Sequence, residues 1–138
     1  MKFYTIGYGG RKPKDFLDIL KEKGIKAVVD VRLKPNRASM GTYIKAKTED
    51  KGIQHPLAEG GFEYFSLAEL GNRFLGQEDW REQYRELLDK DGDLLIERLF
   101  TVPTPFCLMS AEKSSAQCHR REISDYLAKK GHEVEHLE

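Results

Sequence analysis

Phe3-Tyr4-Thr5-Ile6-Gly7-Tyr8-Gly9-Gly10, then Pro13 to Gly24, then Ala27-Val28-Val29-Asp30-Val31-Arg32 open the chain and decide its fold. The first run is aromatic and β-branched before it breaks at glycine, which reads as a strand feeding a tight turn. Pro13 suits the first turn of a helix. Phe16, Leu17, Ile19 and Leu20 follow at helical spacing, and Gly24 stops the pattern. Ala27 to Val31 is apolar apart from one acid, as expected of a parallel strand buried on both faces. Strand, helix and strand within about 30 residues match the length of a βαβ unit.

Working outward, residues 33–60 are irregular and basic, with Arg37, Lys45, Lys47 and Lys51. So long a loop in a compact domain is often functional, and part of it is expected as a short helix. Phe62-Glu63-Tyr64-Phe65 reads as a third strand. The pattern predicts a helix over 78–89 and another around Leu94 to Leu99. Pro105 to Met109 reads as a fourth strand. A helix is predicted from Ser115 to Lys130, ended by Gly131 at the C′ position. Val134 to Leu137 reads as a last strand. This order predicts a single α/β domain over residues 1–138, a mostly parallel sheet flanked by helices in a three-layer, Rossmann- or flavodoxin-like arrangement. Its crossovers should be right-handed.

The length of 138 residues fits one domain. Hydrophobic residues at 39% and charged residues at 33% supply a core and a polar surface, and exclude a disordered or fibrous chain. Formal net charge is zero, yet residues 1–52 hold 13 Lys/Arg against 6 Asp/Glu, and the remainder 10 against 17. Such asymmetry marks a phosphate or nucleic-acid face, or only a solvated surface. Cys107 and Cys118 are too few for a disulfide framework. No apolar stretch approaches the roughly 20 residues of a membrane span, and the N-terminus lacks signal-peptide architecture. The expected setting is cytoplasmic, with reduced thiols and no membrane partner. The oligomeric state is not readable from the sequence.

In open parallel sheets ligands bind beyond the carboxyl ends of the strands. Those ends bring Gly7 to Gly10, Arg32, Ser66 and Ser110-Ala111-Glu112-Lys113 to one expected rim. Gly7, Tyr8 and Gly9 would let backbone N–H groups approach an anion, although the third glycine of a dinucleotide fingerprint is missing. A tight turn without a ligand explains them equally. Asp30 and Arg32 share a strand face. They form either a buried ion pair or an oriented fork that grips a phosphate or carboxylate. With Arg32, Arg37 in the basic loop and Arg120 would hold the anion.

Ser114 and Gln117 match a capping box, which puts Cys118, His119 and Arg120 in the first turns of the last helix. A helix N-terminus with neighbouring His and Arg lowers a thiol pKa. Cys118 therefore reads as a thiolate nucleophile or as a polar member of an anion pocket. His119 falls in the apolar stripe, as a general base, a hydrogen-bonding contact or a core histidine. Cys118 lies away from that stripe, facing the neighbouring loops or solvent. Glu112 reads as a general acid or base, or as a partner holding Arg120 or Lys113. Zinc-type ligand spacing is absent, so no metal and no cofactor is assigned. Tyr8, Tyr43, Tyr64 and Phe74 either stack on a ring or belong to the core. Tyr64, Leu70-Gly71-Asn72 and Arg73 form a further local cluster.

Thr5-Ile6-Gly7-Tyr8-Gly9, Asp30-Val31-Arg32 with Pro35 and Arg37, Leu70-Gly71-Asn72, Ala111-Glu112-Lys113 with Cys118-His119-Arg120, and Gly131 to Leu137 together resemble the family called domain of unknown function 488. The resemblance implies a small α/β fold of prokaryotic type, presumed cytoplasmic, and no settled reaction. It points to Arg32, Arg37, Glu112, Cys118, His119 and Arg120 as site residues. It also implies a cysteine where this chain has Ser110, which weakens any scheme needing a second thiol there, such as a catalytic disulfide. The leading expectation is an enzyme or binding domain for a phosphorylated or otherwise anionic ligand, such as a nucleotide. The alternatives are a nucleic-acid-binding module built on the basic N-terminal half and a non-catalytic structural or regulatory domain.

Overall fold

The computed structural model describes residues 1–37, 41–48 and 50–138. Residues 38–40 and 49 of the basic loop lie outside the described residues. The apolar runs form strands β1 (Lys2–Gly7), β2 (Ala27–Asp30), β3 (Glu63–Ser66), β4 (Phe106–Ser110) and β5 (Glu133–Leu137). All five pair in parallel in one sheet of order β3-β2-β4-β1-β5. β2 and β4 are buried at every position, as strands covered on both faces must be.

Among the described residues four α-helices flank the sheet: α1 (Pro13–Glu22), α2 (Gln54–Glu59), α3 (Trp80–Leu95) and α4 (His119–Lys129). The chain leaves β1 and β2 toward the β3 edge, and leaves β3 and β4 toward the β5 edge. Crossovers of one hand then place the two pairs of helices on opposite faces. The core divides accordingly. Phe16 and Leu20 of α1 and Leu57 of α2 pack on Ile6, Val28, Cys107 and Met109. Tyr84 and Leu88 of α3 and Ile123 and Leu127 of α4 pack on Phe3, Val29, Phe106 and Leu108. Each such fully buried side chain contributes about 1.5–3 kcal/mol of burial free energy.

The expected α/β order, the helix start at Pro13 and the glycine stops all appear. Gly24 and Gly131 follow α1 and α4 with φ of 66° and 96°, the left-handed region that Gly enters without a Cβ clash. The basic loop contains α2 and two short 3-10 turns, Pro35–Arg37 and Gly41–Tyr43.

Two helices differ from expectation. In place of the helices read over 78–89 and 94–99 there is one α-helix, Trp80–Leu95, and the second segment runs from its last turn into a 3-10 turn over Glu97–Thr101. Gly92 lies inside α3, where it makes room for α4: a Cβ there would sit 2.4 Å from the Tyr126 ring. The predicted Ser115–Lys130 helix is also corrected. Ser115–Gln117 is a 3-10 turn, Ser114 makes no side-chain cap, and Cys118 is extended at φ −131°, ψ 148° before α4 starts at His119. No described helix is long and apolar enough to cross a membrane.

Candidate functional site

β2 and β4 are neighbours whose connections depart in opposite directions. Adjacent loops therefore part beyond these two strand ends, and a crevice must open between them. A cleft of about 590 Å³ lies there. Its β2 wall carries Arg32, Leu33, Lys34 and Arg37, and its β4 wall carries Ser110, Ala111 and Glu112. Tyr8 after β1 and His119 at the start of α4 reach the same space. Asn72, Arg73 and Leu75 close it from the segment between β3 and α3.

Arg32 is held in place from behind. Asp30, fully buried, accepts Arg32 Nε–H on Oδ1 at 2.8 Å and Nη2–H on Oδ2 at 2.6 Å. The Arg32 backbone N–H adds a contact to Oδ1 at 3.1 Å. Tyr64 donates its hydroxyl to Asp30 Oδ2 at 2.5 Å. Burial and the adjacent carboxylate push the Tyr64 phenol far up, so it stays a donor. Arg32 Nη1 reaches the Tyr8 hydroxyl at 3.3 Å, and the guanidinium lies over the Tyr8 ring. Tyr8 in turn stacks on Tyr43 at 4.3 Å, so both rings are core as well as wall. The buried ion pair and the oriented fork expected from sequence are one arrangement.

The glycine turn does different work from an anion cradle. The N–H groups of Tyr8 and Gly9 donate to the carbonyls of Ser110 and Ala111 at 3.0 and 2.8 Å. A Cβ on Gly7 would fall 1.7 Å from the Glu112 carbonyl oxygen, and one on Gly9 would fall 2.7 Å from that of Ala111. Gly7 and Gly9 therefore let the loop after β1 press against the loop after β4. The expectation that this turn offers Tyr8 and Gly9 amides to a ligand is corrected, because both are already paired.

The extended backbone at Cys118 turns its side chain inward, since helical spacing does not apply there. Cys118 is buried and its Sγ lies 2.8 Å from Ser110 Oγ. Burial, and next the Glu112 carboxylate, raise its pKa, which corrects the expected thiolate. His119 Nε2 lies 2.8 Å from the Val31 carbonyl oxygen. A carbonyl only accepts, so Nε2 carries the proton and Nδ1, 3.6 Å from Cys118 Sγ, is the unprotonated nitrogen. Burial lowers the His119 pKa and keeps the ring neutral.

Arg120 is fully buried and does not line the cleft. Its Nη1 donates to Ser110 Oγ at 3.0 Å and to the Glu112 carbonyl at 2.6 Å. Nη2 donates to the Lys113 carbonyl at 3.1 Å, and Nε to Thr5 Oγ1 at 3.4 Å. The Glu112 side chain makes no hydrogen bond among the described residues, so its carboxylate is open to the cleft.

Of the ten residues singled out from sequence, Tyr8, Arg32, Arg37, Glu112 and His119 line the cleft. Asp30, Cys118 and Arg120 stand behind its walls, while Gly7 and Gly9 seat the loops. Lys34 and Leu75 went unread, and Arg73 and Asn72 were noticed without a link to the site. Lys34 had a signal, because it continues the alternation of Asp30 and Arg32. Gly71 was the other, since a Cβ there would stand 2.4 Å from Leu33 Cα. That contact brings Asn72 and Arg73 to β2. Among the described residues no three His, Cys, Asp or Glu side chains group to hold a metal ion.

Comparison with curated proteins finds no match, and neither does comparison with solved structures. A family model does match, over residues 12–127. That span includes the β2, 70–75 and β4 segments of the cleft, although Gly7 to Gly9 and the Gly131 to Leu137 stretch fall outside it. The chain belongs to the family described as domain of unknown function DUF488.

Proposed function

We propose that the cleft binds a small anionic ligand, a phosphorylated compound such as a nucleotide. One observation carries this reading: beside Arg32, whose charge Asp30 compensates, three unpaired basic side chains, Lys34, Arg37 and Arg73, line a space that has Glu112 as its lone acid among the described residues. Like charges gathered without mutual neutralisation raise the local concentration of counter-ions, and an anion relieves their repulsion. Arg32 is oriented before any ligand arrives, which lowers the ordering cost of binding. Leu33 at 41% and Leu75 at 72% exposure give the mouth an apolar lining suited to a ring or chain attached to the anion. Glu112 is the group placed to move a proton, with neutral His119 as a second acceptor. Cys118 and Arg120 act as positioning residues behind Ser110 and the 110–113 loop.

The test is calorimetric titration of the chain with nucleoside monophosphates and sugar phosphates. R37A and R73A remove exposed charges that hold nothing in the core, so both variants should fold normally. Each is expected to weaken binding by about three- to tenfold. Absence of binding to the parent chain across the whole panel would overturn the reading.

A second reading, nucleic-acid binding, is favoured by a separate groove beside β3. Lys45, Lys47, Tyr64 and Phe65 line it, giving cations and aromatic rings together. Under this reading a labelled single-stranded oligonucleotide binds with an affinity that falls steeply with salt. Flat anisotropy at low salt removes it.

A further inference from the structure

The cleft floor covers a buried positive charge, Arg120, with which no carboxylate among the described residues pairs. Resting on the anion-binding reading, we propose that the ligand's phosphate group seats on Ser110 and supplies the countercharge missing from Arg120.

Buried charges in proteins are ordinarily paired, because an unpaired ion away from water costs several kcal/mol. Arg120 is fully buried, and every one of its described hydrogen bonds runs to a neutral hydroxyl or carbonyl. Among the described residues no carboxylate forms an ion pair with it. The nearby acids are engaged elsewhere. Glu138 accepts the N–H and hydroxyl of Ser115. Glu122 accepts from Arg81 and Arg85. The Glu112 carboxylate faces the cleft, and Glu112 touches Arg120 through its backbone carbonyl.

Ser110 lines the cleft and accepts from the Arg120 guanidinium through its side chain, where Glu112 does so through its backbone carbonyl. With the Cys118 thiol donating to Ser110 Oγ across their 2.8 Å contact, the Ser110 O–H is free, and a hydroxyl that accepts from a guanidinium becomes a stronger donor, so the charge below is expressed through it. Arg32 faces it from the β2 wall. Nε and Nη2 serve Asp30 and Nη1 serves Tyr8, which leaves one N–H on each terminal nitrogen. A terminal phosphate has three oxygens in tetrahedral array. It can take the Ser110 hydroxyl, the Arg32 donors and a rim cation together, which a planar carboxylate cannot. The substrate class is therefore a phosphate monoester whose dianionic end points inward and whose organic part lies between Leu33 and Leu75.

The experiment is titration of the full chain with inorganic phosphate at fixed ionic strength, in the parent, S110A and S110D, with Tm read alongside. Phosphate should bind the parent and raise its Tm. S110A should weaken phosphate binding by about tenfold or more. S110D, which places a carboxylate next to Arg120, should exclude phosphate while keeping a Tm at or above the parent's. S110A alone decides the matter should S110D fail to fold. Parental affinity in S110A, with binding lost in R37A and R73A, would put the anion at the mouth; that removes this seat and leaves the anion-binding reading standing. No binding of phosphate or of the ester panel to the parent removes both.

Discussion

Two arginines meet the rim of the sheet, and their surroundings are opposite. Arg32, just beyond the end of β2, lies against a fully buried carboxylate that grips two of its nitrogens. Arg120, in the first turn of α4, lies against carbonyls and hydroxyls alone. The first is electrically compensated and geometrically fixed, so it can present its remaining donors outward. The second clamps the 110–113 loop and leaves a net positive charge beneath the floor. Burial of the same side chain type therefore has two meanings, and the partner set tells them apart.

The sharpest way to break that contrast is D30N. It strips the countercharge from Arg32, which is 8% exposed, and so should cost about 3–5 kcal/mol in denaturant unfolding. R120M should cost less, about 1–3 kcal/mol, because it strands acceptors but leaves no buried charge behind. A larger loss for R120M than for D30N would show that the clamp, not the ion pair, dominates the rim.

A pH series sharpens the comparison further. Burial lowers the pKa of His119, and burial followed by Arg121 lowers that of His136, both from 6.5. Below that value the unfolded chain takes up protons that the folded chain resists, so stability is full above it and declines as pH falls. The slope should be at most about 1.4 kcal/mol per pH unit for each histidine, levelling once the pH passes below the folded pKa values. Urea midpoints between pH 7.5 and 5 measure it, and H119Q should flatten the curve. The smallest effect belongs to Y64F. It removes one donor to Asp30 while both Arg32 contacts persist, for about 1 kcal/mol.

Much of the fold was legible because it is written in local pattern. The runs around Ile6 and Val29 can hardly be other than buried parallel strands, and Pro13, Gly24 and Gly131 punctuate helices by their own backbone preferences. The errors arose where a distant residue decides. Gly92 stands inside α3 because the Tyr126 ring occupies the space of its missing side chain. Ser114 and Gln117 read as a cap until Cys118 extends to face Ser110. The site followed the same division. Arg32, Glu112 and His119 were readable because strand ends predict the rim. Arg73 joins it through the Gly71 approach to Leu33, a contact that no local spacing announces. The glycines after β1 were visible, but their purpose, the close approach of Glu112 and Ala111, exists only between segments far apart in the chain.

The strand order has a consequence for how the molecule assembles. β1 is made first, yet both of its ladder partners, β4 and β5, are made last. During synthesis β1 must therefore wait, with Phe3 and Ile6 uncovered, until β4 and β5 have emerged. Such long-range closure slows folding and exposes an unpaired edge to other chains. The sheet can be completed only as a late, concerted event, in which β4 and β5 lock β1 into place.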